Sequence, residues 1–136
     1  VVRVERRTIP GETAESALAE LRAAADRVGA RLAAAGRPPL RAEVALDFAQ
    51  PPSDVPAGAP LVVALGDALR AAGAPVAVEG MPAWTDAALL NAAGVPTVCF
   101  GPGDIGLAHA AEEWVPVAEV ERAADVLTRL AQAWCG

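Results

Sequence analysis

The sequence contains no lysine. All 11 basic residues are arginines, outnumbered by 17 carboxylates for a net charge of −6. The arginines form no cluster, so nothing here matches a phosphate backbone and no nucleic-acid partner is expected. No apolar run reaches the ~18 residues that a membrane span needs, and no stretch resembles a signal peptide. A soluble, cytoplasmic protein without a membrane partner is the expectation. With two cysteines, Cys99 and Cys135, both in apolar sequence, there is neither a disulfide framework nor a Cys-rich zinc site. Cys99 reads as a small buried strand residue. No methionine opens the chain, which starts directly on a strand pattern at Val1 and so reads as a piece of a longer protein.

The chain does have apolar residues: 54% are hydrophobic, and alanine alone makes up a quarter of the 136. Small side chains bury little area each, at roughly 25 cal/mol per Å². A core built from them leaves little stability in reserve if an interface is missing.

Residues 1–7 alternate, Val2 and Val4 on one face and Arg3, Glu5 and Arg7 on the other, the pattern of a half-buried strand. Ile9-Pro10-Gly11-Glu12 breaks it. Thr13 is placed to cap a helix to about Ala35, with Leu18, Leu21, Ala25, Val28 and Leu32 as its apolar stripe and Gly36 as its stop. Residues 42–48 alternate again, which makes the first 49 residues a β-α-β unit. The proline-rich stretch that follows reads as a linker, with a domain boundary at 50–56. Residues 57–136 then read helix (60–72), strand (75–79), helix (85–93), strand (96–100), helix (118–134). That alternation predicts an α/β layer around a mostly parallel sheet. In the last helix Val120, Ala124, Leu127, Ala131 and Trp134 form the expected core stripe. Each half is short of strands, and the edges at 1–7 and 76–80 would be bare without partners.

Ligand sites in open α/β sheets lie at the carboxyl ends of strands. Two segments qualify: 79–86, ending in Trp84-Thr85-Asp86, and the glycine-rich stretch from Phe100 to Asp104 that leads on to His109, Glu112 and Glu113. His109 is the only histidine. It suits a metal ligand with a carboxylate behind it, or a polar loop residue, and alone it cannot complete a catalytic zinc site, which takes three protein ligands. Thr85 suits the N-cap of a helix and Asp86 its first turn. Gly101, Gly103 and Gly106 lack the spacing and the lysine of a phosphate loop.

Taken in order, Trp84-Thr85-Asp86-Ala87-Ala88-Leu89-Leu90, Ala93-Gly94-Val95-Pro96-Thr97-Val98, Phe100-Gly101-Pro102-Gly103 and His109-Ala110-Ala111-Glu112-Glu113-Trp114-Val115 resemble a known family. They look like the C-terminal part of the acetylornithine deacetylase, succinyl-diaminopimelate desuccinylase and carboxypeptidase G family. Arg7-Thr8-Ile9-Pro10-Gly11-Glu12 is similar to the second half of that family's inserted lid, or dimerisation, domain. The resemblance implies residues 1–49 as the β-α-β half of a lid and residues 57–136 as the C-terminal part of an α/β zinc-hydrolase domain. It implies two zinc ions, a glutamate general base, and hydrolysis of the amide of an N-acyl amino acid or short peptide, in an enzyme dimeric through its lid.

Carried over by position, His109 matches the last metal ligand and Glu113 the acid that supports it. Arg7 matches the lid arginine that holds a substrate carboxylate, a role its bidentate fork suits; a solvated surface arginine is the plain alternative. Thr85 and Asp86 match the Thr-Asp at the site rim. The family's first histidine, bridging aspartate, general-base glutamate and two further acidic ligands all precede the lid and have no counterpart here. The glycine run before Thr-Asp is replaced by Gly80-Met81-Pro82-Ala83-Trp84. This chain alone is therefore expected to be inactive, its catalytic residues lying upstream. The competing expectation is a stand-alone α/β ligand-binding or dimerisation module without metal.

Overall fold

A computed structural model describes all of residues 1–136. The chain divides into two units, Val1–Ser53 and Asp54–Gly136.

In the first unit a single helix, α1, spans Ala14–Ala34. Thr13 is its N-cap: the Thr13 hydroxyl accepts from the Ser16 amide at 3.1 Å, and the Ser16 hydroxyl oxygen accepts from the Thr13 amide at 3.0 Å. Two of the first turn's orphan donors are thus satisfied reciprocally. At the other end Gly36 adopts φ +64, while the Gly36 amide donates to Ala33 O and the Arg37 amide to Leu32 O. This double closure needs a residue tolerant of the left-handed region, which glycine supplies. The same closure ends two helices of the second unit, at Gly73 and Gly94. The stripe of α1 is only half covered and Val28 is exposed; no residue of the helix is buried.

The second unit contains α2 (Pro60–Ala71), α3 (Ala87–Ala92), a short 3-10 turn (Ile105–Leu107) and α4 (Val117–Cys135). Pro60 suits the first turn of α2, where its missing N–H is not needed. Helix α2 packs on α4. Leu65 and Ala68 from α2 close over Val126 from α4, with Leu69, Ala72, Val98, Phe100 and Leu130 around them. Val126 is the one large side chain fully buried.

Two expectations need correcting. The four predicted strands are not formed. Residues 1–7, 42–48, 75–79 and 96–100 carry no ladder, so the β-α-β reading of residues 1–49 is not realised in this chain. Alternation supplies a face for a sheet, but a strand exists only through a neighbour's hydrogen bonds. Here the carbonyl of Val44 accepts from Arg22 on α1 instead, and the Asn91 side chain pairs with both the N–H and the C=O of Thr97, each at 2.8 Å. The apolar side chains meant for the sheet stand in the open, among them Val2, Val4, Leu46 and Phe48.

The second correction concerns α4. The inward stripe is Ala123 and Val126, both buried, with Leu130 partly buried, while Val120, Leu127 and Trp134 are each about half exposed. At 3.6 residues per turn the two stripes lie roughly a quarter-turn apart. Helix α4 therefore has two apolar faces, of which one packs on α2.

The exposed surface totals 10347 Å². Two separate globules of the units' masses would expose roughly 8,000 Å² by the usual scaling of surface with mass. The excess lies in extended segments and uncovered apolar faces. No helix is long and apolar enough to cross a membrane.

Candidate metal and substrate site

Four of the five candidate residues, Thr85, Asp86, His109 and Glu113, belong to the second unit; Arg7 belongs to the first. His109 follows the 3-10 turn, whose start is capped by the Asp104 carboxylate accepting the Gly106 amide at 2.8 Å. At φ +65 it is the only non-glycine residue in the left-handed region. Such a conformation costs on the order of 1 kcal/mol and persists only where neighbours hold it. Glu113 does so, its carboxylate accepting the His109 main-chain amide at 3.1 Å. Further back the Gly103 amide donates to Glu119 of α4 at 2.9 Å, and Val115 crowds Gly103 so closely that a Cβ there would lie 3.3 Å away. The loop is thus pinned at two points, Gly103 and His109, and His109 is exposed.

Asp86 stands at the start of a helix as the plain reading expects, but the Thr85 side chain does not cap it. Helix α3 starts after Asp86, which already has helical φ and ψ, and no side chain caps it. The Thr85 hydroxyl lies 3.2 Å from Cys99 Sγ, a weak contact between the first candidate segment and the residue just before the second. Cys99 is exposed, contrary to its reading as a buried strand residue, because no neighbouring strand covers it. No hydrogen bond joins Thr85 or Asp86 to His109 or Glu113.

Nowhere in the chain do three His, Cys, Asp or Glu side chains gather as a metal ion requires. The donor set does not fit a complete zinc site: His109 offers one imidazole, and the Glu113 carboxylate accepts the His109 main-chain amide.

In the first unit, Arg7 Nε donates to Glu5 at 3.3 Å in a solvated pair. The stronger feature is its neighbour. Arg6 forks onto Glu12 and reaches Glu20 as well. Its hydrogen bonds, with that from the Ile9 amide, lower the Glu12 pKa from 4.5 to about 2. Sequence reasoning passed over Arg6. Its signal was the i, i+6 pairing of Arg6 and Glu12 across the Pro-Gly turn.

Comparison with known proteins gives the family. The sequence model of peptidase family M20/M25/M40 matches residues 4–133, and the chain belongs to that family.

Curated relatives include "Putative succinyl-diaminopimelate desuccinylase DapE" of Mycobacterium tuberculosis, 40% identical over 74 residues, which are 54% of this chain and 18% of that protein. The N-acetyl-L-citrulline deacetylase of Xanthomonas campestris is 40% identical over 47 residues, 35% of this chain and 13% of that protein. The acetylornithine deacetylase of Myxococcus xanthus is 42% identical over 52 residues, 38% of this chain and 14% of that protein. The chain thus spans less than a fifth of each of these relatives. No solved structure matches it.

Proposed function

We propose that this chain is the C-terminal part of a metal-dependent amidohydrolase that cleaves the amide bond of N-acyl amino acids or short peptides. The observation that carries the reading is the family match over residues 4–133, together with the braced His109 loop within it. The relatives' names, deacetylases and a desuccinylase, supply the substrate class. The bare apolar faces of α4 and of the extended segments are what a piece of a larger α/β fold leaves exposed.

In this reading residues 1–49 are the second half of the lid domain, 50–56 a linker and 57–136 the end of the catalytic domain. The intact enzyme is a cytoplasmic homodimer joined through the lid. His109 gives one imidazole to a two-zinc site otherwise built from residues outside this chain. Zinc, when bound, supplies Lewis acidity. Glu113 holds the His109 main chain in its left-handed turn, which aims the ring. Arg7 takes the substrate carboxylate as a bidentate, charge-assisted partner. Thr85 and Asp86 line the rim. The general base lies elsewhere in the enzyme, so the isolated chain hydrolyses nothing.

In the full-length enzyme His109→Ala is expected to lower bound zinc and to cut turnover by several orders of magnitude. Surface changes, by contrast, usually cost within about 0.5 kcal/mol. Glu113→Gln keeps an acceptor for the amide and should lose about 10–100-fold at most. Full zinc content with near-normal turnover in His109→Ala would remove the metal assignment and favour a stand-alone α/β binding module. Tight stoichiometric zinc on the 136-residue chain, or deacylation of N-acetyl amino acids by it, would remove the ligand-count reasoning.

A further inference from the structure

Arg6 and Arg7 are adjacent, yet their surroundings differ. All four terminal N–H groups of Arg6 are engaged within its own unit. Nη1 donates to the Arg7 carbonyl and to Glu12 Oε2. Nη2 donates to Glu12 Oε1 at 2.7 Å and to Glu20 Oε2 at 3.0 Å. Glu12 Oε2 also accepts the Ile9 amide at 2.9 Å, and the Glu12 amide donates back to Ile9 O at 3.0 Å. Gly11, at φ +92, provides the reversal that brings residue 12 back to residue 6. Residues 6–12 are therefore closed into a ring by one ion pair, with the Arg7 carbonyl tied to it. Glu20, within the second turn of α1, fastens the ring to the helix.

We propose that Arg6, Glu12 and Glu20 form a clasp that positions the Arg7-bearing turn, making Glu12 a positioning residue for recognition of the substrate carboxylate. This rests on the reading of Arg7 above. Arg6 cannot itself serve as the substrate's partner without breaking the clasp. Glu12 and Arg6 are both charged at neutral pH, and the Arg6 fork holds the Glu12 carboxyl below its ordinary range, so the ring stays charged into mild acid. A guanidinium fork held by carboxylates on two elements is geometrically rigid, and an arginine placed by such a device loses less freedom when its ligand binds.

Two measurements separate the clasp from the substrate reading. In the 136-residue chain, hydrogen exchange at the Ile9 amide, followed by NMR, should speed up by about tenfold or more in Glu12→Ala. The rise should be smaller in Glu12→Gln, which keeps an acceptor. Unchanged exchange in Glu12→Ala overturns the clasp.

In the full-length enzyme, initial rates are compared for N-acetyl-L-ornithine and its α-methyl ester. Arg7→Ala should raise KM for the free acid by about 30-fold and leave the ester alone. Glu12→Ala should raise KM for the free acid by about tenfold, with kcat and the ester unchanged, and Glu12→Gln should fall between it and wild type. If Arg7→Ala discriminates but Glu12→Ala moves both substrates or neither, the positioning role is overturned and the Arg7 reading stands. If Arg7→Ala acts equally on acid and ester, the Arg7 reading falls and the inference with it.

Discussion

Helix α1, in Val1–Ser53, buries none of its side chains, whereas α2 and α4, in Asp54–Gly136, close over Leu65, Ala68 and Val126. What orders the first unit is polar and local: a capping box at Thr13, a glycine closure at Gly36 and the Arg6–Glu12–Glu20 clasp. What orders the second is apolar contact between helix side chains, Leu65 and Ala68 with Val126, more than 50 residues apart in sequence. Isolated helices rarely stand on propensity and caps alone. The first unit therefore depends more on whatever covers its half-exposed stripe, and the second has a core of its own, though a small one. The two candidate sites inherit this difference. Arg7 sits on an arm held by charge, and His109 on a loop pinned to a helix that is itself packed.

The largest effect should follow from striking the apolar core. Val126 is 1% exposed, and Val126→Ala removes two methyl groups from the α2–α4 contact. A loss of about 2 kcal/mol is expected, from lost transfer energy plus the cavity left behind. Thermal unfolding followed by circular dichroism would measure it. A shift too small to resolve would mean that α2 and α4 do not depend on each other, and the contrast between the units would collapse.

Next in size is Thr13→Ala, which removes the reciprocal cap of α1 for about 1 kcal/mol. Far-UV circular dichroism at increasing temperature should show helix lost from α1 first. Amides of α4 should keep their exchange rates. Slowed exchange or a gain in helicity would deny the cap its role.

How these features appeared in the sequence follows the same division. Helix ends were legible because their causes are local. Thr13 and Gly36, at the two ends of α1, each act within a few residues of themselves. Strands were not, because a ladder needs a partner that alternation cannot supply. The stripe on α4 was misplaced for a related reason: 3.6-residue periodicity finds apolar faces but does not say which one α2 will cover. Of the site, the order of motifs was legible and the atomic roles were not. That Glu113 serves the His109 main chain, and that Thr85 turns to Cys99 rather than capping α3, depend on loop geometry. That Arg6 is committed to the fold, beside an arginine read as a ligand clamp, depends on a carboxylate six residues away.

A smaller effect belongs to the exposed charge pair on α4. Arg129 Nε donates to Asp125 at 2.9 Å, one turn apart, with the acid on the N-terminal side. Arg129→Ala should cost no more than about 0.5 kcal/mol, and less in high salt. A loss near that of Val126→Ala would show that the second unit, too, leans on its charges.

The smallest effect on overall stability, and the sharpest on locality, should come from acid. Glu12 titrates near 4.5 when the arm is open and near 2 when clasped to Arg6 and the Ile9 amide. Because the clasped value is the lower one, proton uptake favours the open arm. The clasp's contribution is complete above pH 4.5 and fades as the pH falls toward 2. Arg6 keeps its charge throughout, its pKa being raised by the same partners, so the loss is governed by the carboxylate. Both side chains are roughly 30% accessible to solvent, so the change should be modest and should shrink with added salt. Amide exchange at Ile9, corrected for the intrinsic pH dependence, should rise between pH 4.5 and 2 relative to amides in α2 and α4. Those helices are joined through Leu65, Ala68 and Val126, none of which titrates. In Glu12→Gln the excess rise at Ile9 should vanish, since no proton remains to be taken up. Excess exchange that persists in that variant would assign the acid response to another group and leave the arm held by something other than its ion pair.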